Sequence, residues 1–197
     1  MKKILLLLTL LFVSVMTTAC INNLAVQELN NKAVKYMDNG DSETAICRLK
    51  SSLDLDDEIY QTHYNLAIAY NNIEKYEEAV IELNKVLELK PDFYDALYSL
   101  AVAKDAIAMK ILDNTNASDS SENLTYTAEQ MSDFNNKASE VIDLYNQYLV
   151  KKVNAEETDK INERIQELNS QIKEFTMKLE SEVTVDNSVK EDSSIEE

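Results

Sequence analysis

Few side chains in this sequence can carry out chemistry. Histidine occurs once, at His63, and cysteine occurs twice, at Cys20 and Cys47. One histidine cannot supply the paired ligands that zinc sites use, and a single glycine, Gly40, cannot build a phosphate-binding loop. The acidic run at residues 54–58 lacks the glycine and the distal glutamate of a calcium loop, so we interpret it as a solvated link. We therefore predict no enzyme activity, no cofactor and no metal site.

The two remaining candidates for chemistry each have a structural interpretation. His63 falls between helices that the pattern predicts to pack together, so we interpret it as a structural residue, with a pH-sensitive contact as the alternative. Cys47 lies within an apolar helical pattern, and we interpret it as a small helix residue, with a reactive thiol as the alternative. Neither residue predicts an active site.

Cys20 follows a segment that is typical of a signal peptide. Lysines at positions 2 and 3 precede a mainly apolar stretch over residues 4–16. This stretch of about 13 residues is shorter than the roughly 20 residues that a helix needs to cross a bilayer. We predict a signal peptide over residues 1–19 that is cleaved off before Cys20. Ordinary secretion and an uncleaved anchor are the alternatives.

The residues at 16–20, Met-Thr-Thr-Ala-Cys, resemble the bacterial lipoprotein box, although Thr17 stands where that box usually has leucine. The resemblance implies a lipid on Cys20, a short tether over residues 20–25 and a membrane-anchored protein in the cell envelope. Ile21, in place of an aspartate, implies the periplasmic face of the outer membrane in a cell with two membranes, and otherwise the outer face of the plasma membrane. With Cys20 lipidated, Cys47 has no partner for an internal disulfide.

The charge and the composition exclude two other classes of protein. The chain carries 36 acidic residues against 19 lysines and arginines, a formal net charge of −17. Because nucleic-acid binding depends on basic side chains that neutralise phosphates, we predict no nucleic-acid partner. The single glycine and single proline leave too few turn formers for a sheet-rich fold, so the composition favours helices.

The helices that would position any binding residues repeat along the chain at a fixed offset of 34 residues. Within each unit the apolar residues follow helical spacing, and turn-prone residues at 38–41 and 71–72 separate two helical runs. Each unit is therefore predicted to be a helix hairpin that buries its apolar face against the next one. The matched positions are Ala33, Ala67 and Ala101; Val34, Ile68 and Val102; Leu29, His63 and Leu97.

Residues 60–93 resemble a tetratricopeptide repeat (TPR) in nearly every position, through the Tyr-Asn-Leu-Ala-Ile-Ala-Tyr run at 64–70, the Tyr-Glu-Glu-Ala run at 76–79 and the closing Lys-Pro at 90–91. Residues 26–59 form a second copy. The resemblance implies an all-α fold, a short TPR-type solenoid of helical hairpins with a C-terminal capping helix.

We predict one helical domain over residues 26–182. It contains repeat 1 (26–59), repeat 2 (60–93), an interrupted repeat 3 (94–153) with a polar insertion at about 113–127, and the capping helix (155–182). Narrow apolar seams in the last two helices predict an antiparallel pair, and a surface for dimerisation or for a partner helix is the alternative. Residues 183–197 are predicted to be an acidic, disordered tail.

In tetratricopeptide repeats the first helix of each hairpin lines a concave groove that receives peptides. Carried over position by position, the resemblance implies that Tyr64 and Tyr98 contribute most to binding, with stacking inside the fold as the alternative. The lining lacks the lysines and arginines that would bind a terminal carboxylate. The implied groove residues are Asn30, Val34, Met37, Asp38, Tyr64, Ile68, Asn71, Asn72, Tyr98, Val102 and Asp105.

The sequence thus predicts a lipid-anchored scaffold that binds other proteins through this groove, in envelope or pilus assembly. The alternative is a self-associating structural lipoprotein of the envelope, a homo-oligomer that forms through its C-terminal helix pair.

Overall fold

The computed structural model describes residues 23–113, 126–152 and 155–192. These ranges contain seven helices and no strand, and the predicted all-α fold class is confirmed. The predicted signal peptide (1–19), Cys20, nearly all of the polar insertion and the last five residues of the tail lie outside the described residues. The helices are α1 (residues 23–38), α2 (Ser42–Leu53), α3 (Tyr60–Asn72), α4 (Tyr76–Leu89), α5 (Tyr94–Asp113), α6 (Ala128–Lys151) and α7 (Ala155–Asp192).

The first four helices form two hairpins whose tight turns have the same geometry. Gly40 has a φ of 79° and Glu74, 34 positions later, has a φ of 59°. The amide of Asp41 donates to the carbonyl of Tyr36 at 2.8 Å, and the matching amide of Lys75 donates to the carbonyl of Tyr70 at 3.0 Å. Left-handed residues commonly end helices in this way, because they let the last carbonyls find donors. The 34-residue period therefore extends to the backbone of the turns.

The residues that match across the repeats are also the most buried. Small alanines let the helices approach closely, and leucines fill the adjoining space. Six of these residues have no exposed surface: Ala33, Ala45, Leu49, Ala67, Ala79 and Leu83. The matched alanines and leucines are thus positions that join the helices, whereas the matched valines Val34 and Val102 are exposed.

The chain divides into two compact units, Met1–Ala96 and Leu97–Glu197. This arrangement differs from the single domain that we predict over residues 26–182. The insertion places α6, the second helix of the third repeat, later than the 34-residue period requires. The apolar seam of α6 packs against α7 instead.

The second unit contains most of α5 together with the pair α6 and α7. Phe134 packs edge-on against Phe175 with ring centroids 5.4 Å apart, which places the start of α6 beside a later part of α7 and makes the two helices antiparallel. All six residues of the predicted α6 seam are buried: Met131, Phe134, Ala138, Val141, Tyr145 and Tyr148. On α7 the buried positions are Ile161, Leu168 and Phe175.

The backbone of α7 stays helical up to Asp192, whereas we predict the helix to end at residue 182 and a disordered tail to begin at 183. The sequence from 183 to 192 contains neither glycine nor proline, so no residue there forces the helix to stop. Within the described part of the chain, no helix is both long enough and apolar enough to cross a membrane.

Candidate functional site

A cavity of about 410 Å³ opens in the first unit, where α1 and the start of α3 meet. The cavity belongs to both repeats, because each repeat contributes its first helix. Most of its lining residues carry a primary amide, and none carries a charge. The lining residues are Asn23, Val26, Gln27, Asn30, Asn31, Ile59, Gln61 and Asn65.

Asn30 is the centre of a polar network behind the wall of this cavity. Its Nδ2 lies 2.9 Å from the hydroxyl of Ser52 on α2 and 2.9 Å from the hydroxyl of Thr62 on α3. Its Oδ1 accepts a hydrogen bond from Asn65 Nδ2 at 3.1 Å. Ser52 and Thr62 are both fully buried. Asn30, which the sequence places in the groove, therefore connects three helices.

Two amides of the wall are open to a ligand. Asn31 and Gln61 are exposed, and their side-chain amides form no hydrogen bond with any residue that the structure describes. Asn65 is half-buried and is held by Asn30, while its own Oδ1 accepts no hydrogen bond within the same part of the chain. The wall thus combines a fixed amide with two accessible ones.

The other predicted groove residues of the first unit differ in accessibility. Val34 is exposed, with 39% of its surface accessible, and it lies one turn beyond Asn30 on α1. Met37 and Ile68 are half-buried, and Asp38 is exposed at the end of α1. Val34 therefore presents an accessible apolar side chain on the same side of α1 as Asn30.

Tyr64 and Asn72 on α3 form contacts inside the first unit, and Asn71 beside them is half-buried. The ring of Tyr64 packs edge-on against Phe93 at 5.0 Å. Asn72 donates a hydrogen bond to the hydroxyl of Ser42 at 3.2 Å. Asn71 is half-buried, and its Oδ1 is buried without a hydrogen-bond partner among the described residues. For Tyr64, the structure shows the stacking arrangement that the sequence leaves as the alternative.

The predicted residues on α5 lie in the second unit, where Tyr98 and Asp105 contact neighbouring helices. The ring of Tyr98 lies 5.3 Å from that of Tyr148 and 6.2 Å from that of Tyr145. Asp105 accepts two hydrogen bonds of 2.8 Å from the guanidinium of Arg164 on α7. Val102 is 37% exposed. Asp105 thus holds α7 against α5, which is a structural role.

The single histidine is buried and bonded, in agreement with its structural interpretation. His63 Nδ1 lies 2.6 Å from Glu82 Oε2 on α4, and Nε2 lies 2.9 Å from the carbonyl oxygen of Asp57. Burial alone would lower the pKa of His63, but the hydrogen bonds to Glu82 and to the Asp57 carbonyl outweigh it, and the pKa is raised above 6.5. The charged ring can donate to both acceptors at once.

The described residues contain no group of three or more histidine, cysteine, aspartate or glutamate side chains that could hold a metal ion. Cys47 is exposed on α2 and forms no disulfide.

Of the cavity amides, only Asn30 is among the groove residues that the resemblance implies, although the sequence contains a signal for others. Gln27 and Gln61 are 34 positions apart, and so are Asn31 and Asn65. The same amide side chains therefore recur at the same positions of both repeats. Polar matches at the 34-residue offset therefore indicate four of the six amides of the wall.

Comparison with known proteins agrees with this architecture. Residues 60–93 match the tetratricopeptide repeat family. The first TPR domain of Spaghetti (RPAP3), bound to an HSP90 peptide, superposes with a TM-score of 0.55 at 20% identity, over 73% of this chain and 95% of that one. The second TPR domain of human RPAP3, in complex with an HSP70 peptide, gives 0.55 at 15% identity, over 75% and 98%.

A search of curated protein sequences finds no match. The identities to the two solved domains are low, so these structures establish the fold alone. The chain thus has the all-α fold of TPR-type helical hairpins, and residues 60–93 are the part of it that matches the tetratricopeptide repeat family.

Proposed function

We propose that this protein is a scaffold that binds a segment of another protein on the face shared by α1 and α3. The observation that carries the proposal is the cavity, because its wall is built by the first helices of two successive repeats. A surface formed in this way can follow an extended ligand from one repeat to the next. The solved TPR domains that share this fold hold peptides, according to their descriptions, which supports a peptide ligand here as well.

The groove can be tested by crosslinking and affinity capture from the native envelope. We expect the double variant Asn31→Arg with Gln61→Arg to lose captured partners, because two long charged side chains would fill the cavity. Asn84→Arg, on the exposed face of α4, is the matched control and should retain them. Undiminished capture by the double variant would exclude the cavity.

The same experiment separates this proposal from self-association. Met177 lies on α7 and is 54% exposed. The structural oligomer would be favoured if the captured protein is a second copy of this chain. Capture would then survive in the cavity variant and be lost in Met177→Arg.

We also propose that Cys20 bears a lipid that attaches the scaffold to a membrane of the cell envelope, where it serves envelope or pilus assembly. The proposal is supported by the charged and apolar leader and by the small residues before Cys20. Two or more acyl chains would give stable attachment, since each buried methylene contributes about 0.8 kcal/mol.

Labelling with a palmitate analogue tests the anchor. Label should be incorporated into the parent chain and into Cys47→Ala, and it should be absent from Cys20→Ala. Equal labelling of Cys20→Ala would refute the anchor and leave the groove proposal standing.

A further inference from the structure

We infer that the cavity between α1 and α3 recognises the main chain of an uncharged, extended segment inside the partner protein. The inference rests on the proposed function, and it adds the chemistry by which the partner is selected. Side-chain pockets and charged clamps have no part in it.

The amides of the wall match the hydrogen-bonding groups of a peptide unit. A primary amide presents an acceptor oxygen beside a donor nitrogen, as a peptide unit does, so the two can form paired hydrogen bonds. Six of the lining residues carry such a group, and those of Asn31 and Gln61 have both the donor and the acceptor available to a ligand, whereas the amide of Asn30 is occupied inside the fold. The remaining two, Val26 and Ile59, are aliphatic. The six amides are Asn23, Gln27, Asn30, Asn31, Gln61 and Asn65.

Hydrogen bonds between these amides hold part of the wall in place before a ligand arrives. Gln27 Nε2 donates to Asn23 Oδ1 at 3.0 Å, and Asn65 Nδ2 donates to Asn30 Oδ1 at 3.1 Å. Asn30 is fixed in turn by the buried hydroxyls of Ser52 and Thr62. A preorganised wall loses less conformational entropy on binding.

The repeat period supports an extended ligand. Gln27 and Asn31 on α1 are matched by Gln61 and Asn65 on α3. Two successive helices therefore present the same pair of groups, four residues apart, to the same cavity. A chain with a repeating backbone can use such a duplicated arrangement irrespective of its side chains.

The electrostatics favour an internal, uncharged segment. No cationic side chain lines the cavity, so a free carboxylate at a chain end would find no partner there. Residues 23–96 contain more than twice as many acidic as basic side chains, so an acidic segment would also be repelled.

The lining disfavours a carbohydrate, the other neutral ligand that amides could bind. Sugar rings commonly stack on aromatic side chains, and no aromatic residue lines this cavity. Binding of an oligosaccharide is the competing possibility, and the test below includes one as a competitor ligand.

The test is fluorescence anisotropy with the full chain in detergent micelles. The probe is a dye-labelled peptide of serine, glycine and glutamine, acetylated at one end and amidated at the other. We expect saturable binding, with a dissociation constant at least about tenfold higher for Asn31→Ala with Gln61→Ala. Asn84→Ala is the control and should bind like the parent. Circular dichroism confirms that each variant is folded.

Two further ligands establish the selectivity. The acidic peptide SRMEEVD with a free carboxylate, the ligand of the solved domain, should bind at least about tenfold more weakly than the blocked probe. An oligosaccharide of N-acetylglucosamine should not displace the probe. Tighter binding of the acidic peptide, displacement by the oligosaccharide, unchanged binding by the double variant, or no binding of the probe would each overturn the inference.

The outcome is separable from that of the proposed function. If the arginine variant loses its captured partners while the blocked peptide fails to bind the parent, the groove is retained and recognition through the main chain is rejected. If capture also persists in the arginine variant, the groove itself is rejected.

Discussion

Asn30 joins three helices through one amide group. Its nitrogen reaches hydroxyls on α2 and α3, and its oxygen accepts from Asn65. A buried polar group that loses its partner retains the cost of desolvation without the compensating hydrogen bond. The network therefore stabilises the packing of two hairpins, and it also orients one amide of the cavity wall.

We predict that Asn30→Ala lowers the free energy of unfolding by about 1–3 kcal/mol, because Ser52 and Thr62 lose their shared partner in the interior. Urea denaturation followed by circular dichroism measures the change. Asn31→Ala, at the neighbouring exposed position, should stay within about 0.5 kcal/mol of the parent. Equal losses in the two variants would show that the network does not stabilise the fold.

His63 gives the first unit a dependence on pH. Its pKa is raised in the folded state, so the charged ring stabilises the fold fully below the ordinary value of 6.5, and this contribution is lost as the pH rises through the raised pKa. The groups that act on it are the carboxylate of Glu82, the carbonyl of Asp57 and, in the opposite direction, the ammonium of Lys85.

We expect the free energy of unfolding to fall as the pH rises above about 6.5 and through the raised pKa of His63, and His63→Gln should lose most of this dependence. Urea titrations across that range measure it. Glu82→Gln should weaken the dependence too, since it removes the main charged partner. A parent and a His63→Gln variant with the same pH profile would contradict this assignment.

At the scale of elements, the turns within the two hairpins are superimposable in their backbone bonds but differ in sequence. Gly40 adopts positive φ without a side-chain penalty, and a Cβ added there would meet nothing within 4 Å. Glu74 also adopts a positive φ, although a residue with a side chain disfavours this conformation. The common geometry is imposed by the packing of the helices on either side.

Gly40→Ala should therefore destabilise the chain by about 1 kcal/mol, entirely through the backbone conformation. Thermal or urea unfolding measures the effect. Glu74→Gly, at the matching position, should be neutral or stabilising. A neutral Gly40→Ala would show that the turn relaxes to another conformation.

The guanidinium of Arg164 and the carboxylate of Asp105 connect α7 to α5 in the second unit. Both side chains are largely buried, with exposures of 25% and 14%, and the two parallel hydrogen bonds use the fork of the guanidinium. Beside them, burial raises the pKa of Tyr145, so its phenol stays neutral.

We predict that Arg164→Met lowers the free energy of unfolding by about 2 kcal/mol, because the largely buried carboxylate of Asp105 is left without its partner. Arg164→Lys should recover only part, since an ammonium lacks the fork. Lys178→Met, which breaks an exposed pair with Glu174, should change it by less than about 0.5 kcal/mol. A double-mutant cycle with Asp105→Asn that shows no coupling would contradict the pairing.

At the scale of the whole molecule, the 34-residue period was sufficient to predict the hairpins, because the small and large apolar residues that pack between helices recur at a fixed spacing in the sequence. Ala33 and Ala67 are fully buried as that period requires. Pairings between distant residues leave no such trace: Asn30 and Thr62 are 32 positions apart, and Asp105 and Arg164 are 59 apart. Two of the predicted groove residues thus turned out to hold helices together.

Neither the end of α7 nor the division into two compact units could be predicted from the sequence. The composition after residue 182 indicates little burial, but burial does not decide where a helix without glycine or proline stops. Four of the six amides of the cavity, by contrast, could have been predicted, because Gln27 and Asn31 recur as Gln61 and Asn65.

The central claim, that a partner protein docks between α1 and α3, is tested most directly by photocrosslinking in the cells that make the protein. A photoreactive amino acid at position 31 lies in the cavity, and one at position 84 lies on the exposed face of α4. We predict a discrete crosslinked protein from position 31 and none from position 84. Adducts from position 84 alone, or no adduct from position 31 in a folded chain, would contradict the account.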